Sequence, residues 1–172
     1  MEKTEQYRLL ERQVAALVEG ETDPIAKMAN IAAVLHETFG FWWTGFYRVV
    51  GSDAELVEGT AGPTGSVGEP VEPPSPRELV LGPFQGPVAC MHIPYGKGVC
   101  GTAWKRNETV VVPDVEEFPG HIACSSASKS EIVVPVHGAA GEVTAVLDID
   151  SDRLATFDEI DKVWLERIVT LL

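Results

Sequence analysis

Cations are scarce in this 172-residue sequence. Thirteen Lys and Arg stand against 26 Asp and Glu, a formal net charge of −13. A nucleic-acid surface meets phosphates with clustered Lys and Arg, and no such cluster is present, so nucleic acid is excluded as a partner. Docking on anionic lipid is disfavoured for the same reason. A cationic or zwitterionic small ligand suits the balance, although net charge speaks chiefly to solubility. Also missing is any apolar run long enough to span a bilayer. Met1 to Gln6 place no hydrophobic segment behind a basic one, and no Arg-rich leader is seen, so neither a secretory signal nor a transit peptide is expected. Cysteine is sparse and odd in number, three residues, which argues against a secreted disulfide scaffold. The expectation is a cytoplasmic chain with reducible thiols, each of them either buried filler or chemistry. What remains, 45% hydrophobic and 23% charged residues, is ordinary globular composition with material for one sizeable core.

The chain opens with two helical patterns. Tyr7, Leu10, Val14, Leu17 and Val18 recur at three-four spacing over residues 4 to 19, and Gly20 ends the run. Thr22-Asp23-Pro24 then offers a cap and a first-turn proline for a second helix to about Thr38, with Ile25, Met28, Ile31, Ala32 and Leu35 facing inward and Gly40 as its stop. Residues 41–50 read as a strand rich in aromatic and β-branched side chains. Parity puts Trp43, Gly45 and Tyr47 on one face and Trp42, Thr44, Phe46 and Arg48 on the other, with Gly45 leaving a gap between two aromatic walls. Core packing explains those aromatics as well as a pocket does. Residues 51–78 are rich in Gly, Pro and Ser and read as an insertion loop, with Glu55–Glu58 as a short strand inside it. Strands are expected at 79–81, 88–93 and 109–112, a turn-rich crossing at 82–87, a short helix over 102–106, and a hairpin of Glu131–Val136 with Val143–Asp150. Thr156-Phe157-Asp158-Glu159 reads as a capping box ahead of a last helix striped by Ile160, Trp164, Ile168 and Leu171. This order predicts one α+β domain over 1–172, with a helical part over 1–39: an antiparallel sheet with helices on one face and a loop-covered ligand pocket on the other.

Three motifs bear on chemistry. Gly96-x-Gly98-x-x-Gly101 matches the dinucleotide fingerprint, but no second βαβ half follows, so only close backbone approach at a helix start survives from it. Cys90, Cys100 and Cys124, with His92 and His121, lack the close-spaced ligand pairs of structural zinc, and no metal is expected. Cys90 in its strand-like run fits a buried thiol. Cys124, in the Ala- and Ser-rich loop Gly120–Ser130, fits that reading poorly and looks reachable. Asp148 and Asp150 share strand parity, roughly 7 Å apart along the strand, and one hairpin brings Glu131 to them. A solvated strand end explains the pair equally well. As a cluster, however, they repel one another, which raises at least one carboxyl pKa.

Gly45-Phe46-Tyr47, Leu81-Gly82-Pro83-Phe84-Gln85-Gly86, Ala89-Cys90, Gly98-Val99-Cys100-Gly101, Gly120-His121-Ile122-Ala123-Cys124, Ser130-Glu131-Ile132-Val133 and Val146-Leu147-Asp148-Ile149-Asp150-Ser151 together resemble the free methionine-(R)-sulfoxide reductases, a family of GAF-domain enzymes. The likeness runs from the first helix to the last, and departs at about Gly51 to Arg77, which is longer than in compact members. It implies an oxidoreductase in which Cys124 attacks the sulfoxide sulfur of free L-methionine (R)-sulfoxide. Cys90 would resolve the sulfenic acid as a redox-active disulfide, and thioredoxin would reduce that disulfide, with no cofactor and no metal. Glu131, Asp148 and Asp150 would bind the substrate ammonium and protonate the oxygen, and Trp43 and Tyr47 would wall the S-methyl group. Cys100 is left as alternate nucleophile or resolving thiol. A role in oxidative stress and a homodimer formed through the helices are further implications. Elementary chemistry agrees in part: a sulfenic acid needs a second thiol in reach, and oxygen leaves as water only once protonated. Three carboxylates oppose thiolate formation nearby, so the thiolate is expected only with the substrate ammonium bound or with a helix N-terminus near Val99 compensating. A GAF-type sensor of a small ligand, or a redox sensor using the same thiols, is the rival reading.

Overall fold

The computed structural model describes residues 2–51, 77–122 and 127–172. Its elements are α1 (Lys3–Val18), α2 (Pro24–Phe39), β1 (Trp43–Val50), β2 (Glu78–Gln85), β3 (His92–Pro94), α3 (Gly98–Arg106), β4 (Val110–Val112), a 3-10 turn (Val115–Glu117), β5 (Ser130–His137), β6 (Val143–Ser151) and α4 (Glu159–Val169). The strands form one sheet in the order β3-β2-β1-β6-β5-β4, antiparallel at every junction. The short strand expected at Glu55–Glu58, and nearly all of the 51–78 insertion, lie outside the described residues. No helix among the described residues is long and apolar enough to cross a membrane.

Strand alternation divides the interior in two. Phe46, Ile132, Val134, Leu147 and Ile149 point to one face, where Tyr7, Leu10 and Val14 of α1, Met28, Ile31 and Leu35 of α2, and Leu165 and Ile168 of α4 close over them. Trp43, Tyr47, Val133 and Val146 point to the other, against Val99, Cys100, Ala103 and Trp104 of α3. The α+β layout expected from the sequence is therefore present, with the refinement that the short α3 joins the loops on the pocket face.

Local signals place α2 well. Asp23 accepts a hydrogen bond from the Ile25 amide at 2.8 Å, Pro24 opens the helix, and Gly40 closes it in the left-handed region at φ 64°. Other expectations shift. The crossing expected at 82–87 is mostly strand, because β2 continues through Gly82-Pro83-Phe84 to Gln85. Its register on β1 slips between the Tyr47–Leu81 and Gly45–Phe84 pairs, and the bulge absorbs the proline, which has no amide to give the ladder. The extended run expected at 88–93 narrows to His92–Pro94, so Cys90 sits in an irregular segment and not in a strand. Leu17 and Ile25 point outward, at the margins of their helices. The capping box lies two residues later than the sequence pattern puts it: Asp158 is the cap and Asp161 the reciprocal partner, while Thr156 Oγ1 bonds Ser151 instead. The buried stripe of α4 moves with it, to Asp161, Leu165, Ile168 and Val169, leaving Ile160 exposed.

Asp161 also joins the two ends of the chain. Its fully buried carboxylate pairs with Lys3 and accepts from the Tyr7 hydroxyl at 2.8 Å and the Asp158 amide at 2.8 Å. Replacing it with Ala strands the buried Tyr7 hydroxyl and the Asp158 amide and leaves Lys3 with Asp158 alone, so Asp161→Ala should cost about 3–5 kcal/mol in urea unfolding. Asp158→Ala, which removes chiefly the cap, should cost about 1 kcal/mol. Equal losses for the two variants would contradict this assignment.

Candidate active site

The pocket is assembled by sheet register. On the face away from the long helices, Trp43 of β1, Asp150 of β6 and Glu131 of β5 lie in one row of directly paired residues. Gly45, Asp148 and Val133 form the next row. Two carboxylates therefore sit side by side and a third sits diagonal to Glu131, although like charges on neighbouring strands oppose pairing. Above them α3 lowers Cys100, whose Sγ lies 4.0 Å from Glu131 Oε1. One cavity of about 40 Å³ is lined by six of the eight expected site residues, Trp43, Tyr47, Cys100, Glu131, Asp148 and Asp150; Cys90 is not in the lining, and its neighbour Ala89 is.

Glycine shapes two walls. A Cβ on Gly45 would stand 2.4 Å from the Trp43 ring and 2.5 Å from Phe84 Cβ. The space expected as an open gap is thus filled by the indole, which stacks on Tyr47 at 5.9 Å and Phe84 at 5.4 Å between centroids. The Trp43 indole N–H donates to the Pro87 carbonyl at 3.1 Å, and the Tyr47 hydroxyl donates to the Cys90 carbonyl at 3.0 Å. These aromatics pin the segment that carries Cys90 as well as walling the cavity. Gly101, last of the three motif glycines, lets α3 approach its preceding loop: a Cβ there would meet the Pro94 carbonyl oxygen at 2.7 Å. The motif is a helix-packing device here, since an antiparallel sheet offers no βαβ crossover for a dinucleotide.

The electrostatics follow from burial. Glu131 and Asp148 are both nearly inaccessible, at 6% exposure. Desolvation, and after it repulsion from Asp148 and Asp150, holds the Glu131 carboxyl well above the usual range. Asp148 is raised by burial and then by Asp150, with hydrogen bonds to Cys100 and Glu131 partly offsetting the effect. Asp150 is pushed up to about 6 by burial, against the hydrogen bond it accepts from Ser128. Burial, then Asp148 and Glu131, pushes the Cys100 thiol well up. Mutual repulsion is the cause expected from the sequence; desolvation is the larger one. Asp148 Oδ1 stays buried with no partner among the described residues.

Cys90 is half-buried and engaged in a disulfide, whereas Cys100 is a free buried thiol. Cys124 falls in 123–126, outside the described residues. Sequence reasoning misses Trp42, Ser128 and His121 as lining residues. Strand parity assigns Trp42 to the opposite face, but Trp42 precedes the first paired residue and parity does not bind it. Ser128 reads only as part of a small-residue loop; its place three residues before Glu131 is the available signal.

The GAF domain profile matches residues 30–172. The chain is 49% identical over 170 residues to GAF domain-containing protein A of Dictyostelium discoideum, covering 99% of this chain and 92% of that protein. It is 41% identical over 173 residues to the free methionine-R-sulfoxide reductase of Escherichia coli strain K12, covering 100% of this chain and 89% of that one. The solved structure of free methionine-R-sulfoxide reductase from Neisseria meningitidis, in complex with its substrate, superposes with a TM-score of 0.82 at 44% identity, covering 99% of this chain and 88% of that chain.

The raised carboxyls carry a stability cost with a definite sign. Between its ordinary value of 3.8 and its folded value of about 6, Asp150 binds more protons folded than unfolded, so its contribution falls as pH rises through that window and stays lost above it. Asp150→Asn should therefore be more stable than wild type near neutral pH, by roughly 1–3 kcal/mol. Thermal unfolding across pH should show that gap closing below about pH 4. A gap independent of pH would refute the assignment.

Proposed function

The chain belongs to the GAF domain family and, within it, to the free methionine-R-sulfoxide reductases; from that membership we propose that it reduces free L-methionine (R)-sulfoxide to L-methionine. The observation that carries the proposal is a triad of carboxylates, Glu131 and Asp148 buried and Asp150 half-buried, in a pocket whose described lining residues include no Lys or Arg. Buried anions without a resident countercharge favour a ligand that brings its own cation. The ammonium of a free amino acid does so, and an amide nitrogen of a peptide does not.

In this reading Cys124 is the nucleophile. Its thiolate attacks the sulfoxide sulfur while a protonated carboxyl of the Glu131–Asp148 pair gives its proton to the oxygen. Methionine leaves, the oxygen remains on Cys124 as a sulfenic acid, and the Cys90 thiol then forms the disulfide and releases water. An external dithiol, thioredoxin in the simplest case, returns two electrons and two protons. The disulfide engagement of Cys90 supports its resolving role. So does the setting of Cys90 between exposed Val88 and Met91, an apolar apron on which a protein reductant has room to dock. Cys100 is the poorer nucleophile, because burial and two carboxylates hold its proton on; its part is to offer that proton to Glu131 Oε1. Trp43 and Tyr47 give the methyl group an apolar wall.

The test is turnover of free methionine sulfoxide with thioredoxin or dithiothreitol, followed as methionine by amino-acid analysis. Wild type should act on the R epimer. Cys124→Ser should abolish turnover, and Cys90→Ser should complete one cycle but fail to recycle with thioredoxin. A wild type without turnover would leave the sensor reading standing, and loss of the first cycle in Cys100→Ser instead of Cys124→Ser would reassign the nucleophile.

A further inference from the structure

We propose that Cys100, Glu131 and Asp148 form a binding site for a zinc-class divalent cation at the base of the pocket, where the ion takes the place of a substrate ammonium and blocks the enzyme. The binding half stands on the geometry alone; the blocking half rests on the reductase reading.

Sγ of Cys100 and one carboxylate oxygen from each of Glu131 and Asp148 all lie within 4.8 Å of one another, and all three residues are buried. One thiolate and two carboxylates make a donor set of mixed softness, which suits zinc or cobalt(II) and leaves a fourth position for water. A hard cation such as magnesium, which keeps its waters and demands six oxygens, is served poorly by a sulfur at this distance. The second observation is the orphaned oxygen. Asp148 is 6% exposed, lines the cavity, and presents Oδ1 with no hydrogen-bond partner among the described residues. A buried acceptor left unpaired is costly, and a ligand that satisfies it recovers that cost. The cavity of about 40 Å³ exceeds the roughly 10–15 Å³ that a single water needs. The same absence of Lys and Arg from the described lining that favours an ammonium favours a metal ion. On binding, the ion displaces the thiol proton to the buffer and the sulfur coordinates as thiolate; no electron moves.

This donor set differs from the Cys and His set that the sequence spacing discounts. Cys90 is held in its disulfide, and the three donors here come from one helix and two paired strands.

The experiment uses the Cys90→Ser/Cys124→Ser protein, in which Cys100 is the remaining thiol. Zinc alone is titrated against a chromophoric indicator, and cobalt(II) is added in parallel. One equivalent should bind with a cobalt–thiolate charge-transfer band, and excess magnesium should not displace it. Adding Cys100→Ser should remove the band and weaken zinc by roughly 10–100-fold or more. Asp148→Asn, with folding checked by circular dichroism, should weaken zinc comparably. Absence of stoichiometric zinc, a bound cobalt without the thiolate band, or ready displacement by magnesium would each overturn the site. The band is read with the three donors unaltered, so the outcome stands even where a donor variant fails to fold. In wild type with active turnover, zinc should raise the apparent KM for methionine sulfoxide, and unchanged kinetics at saturating zinc would overturn the blocking role. A wild type that binds zinc but never turns over would count against the reductase reading and not against the site.

Discussion

Two buried acids, a half-buried third and a buried thiol crowd together on one face of a sheet, and the pocket depends on the repulsion that arrangement stores. Register alone forces it: β5 and β6 are tightly paired, so Glu131 cannot leave the row of Asp150, nor Asp148 the row beside it. The fold meets the electrostatic demand with protons. Glu131, Asp148 and the Cys100 thiol are all held well above their usual ranges, and Asp150 keeps its proton up to about 6. A pocket in this condition favours cations and carries titratable protons, which is what the proposed ammonium binding and sulfoxide reduction would draw on.

The remainder of the molecule makes that condition tolerable. The opposite face of the same strands is strongly apolar and is covered by α1, α2 and α4, so the core on that side compensates for the repelling row on this one. Asp161 joins α1 to α4 through Lys3 and Tyr7 and keeps the cover closed. On the pocket side the apolar mass is smaller, and much of it serves the site. Trp43 lies over Gly45 and holds the Pro87 carbonyl, and Tyr47 holds the Cys90 carbonyl. The residues that wall the cavity are thus the ones that position the segment carrying Cys90.

Much of this is legible in the sequence because it is local. The helix α2 announces itself with Asp23, Pro24 and Gly40, and strand parity puts Trp43 with Tyr47 and Asp148 with Asp150 correctly. Glu131 meets the aspartates because a hairpin is the shortest connection between two strand patterns. What is not legible depends on partners distant in sequence. Pro83 reads as a breaker until pairing with β1 places it in a bulge of β2, and Gly45 reads as a gap until the Trp43 ring is seen to turn onto it. Trp42 escapes parity by standing one residue before pairing begins. The capping box moves by two because Thr156 finds Ser151 across a turn, leaving Asp158 to cap. The main cause of the raised carboxyls is also hidden, since depth of burial is a tertiary quantity.

Central to the proposed function is that the pocket carboxylates wait for a cation carried by the ligand. Calorimetric titration of the Cys124→Ser protein with free methionine sulfoxide, and with its N-acetyl derivative, tests that point without turnover. Acetylation removes the positive charge and leaves the sulfoxide unchanged. Breaking a buried charge pair costs about 2–5 kcal/mol, so the acetylated compound should bind on the order of a hundredfold more weakly. Equal affinities for the two would contradict it.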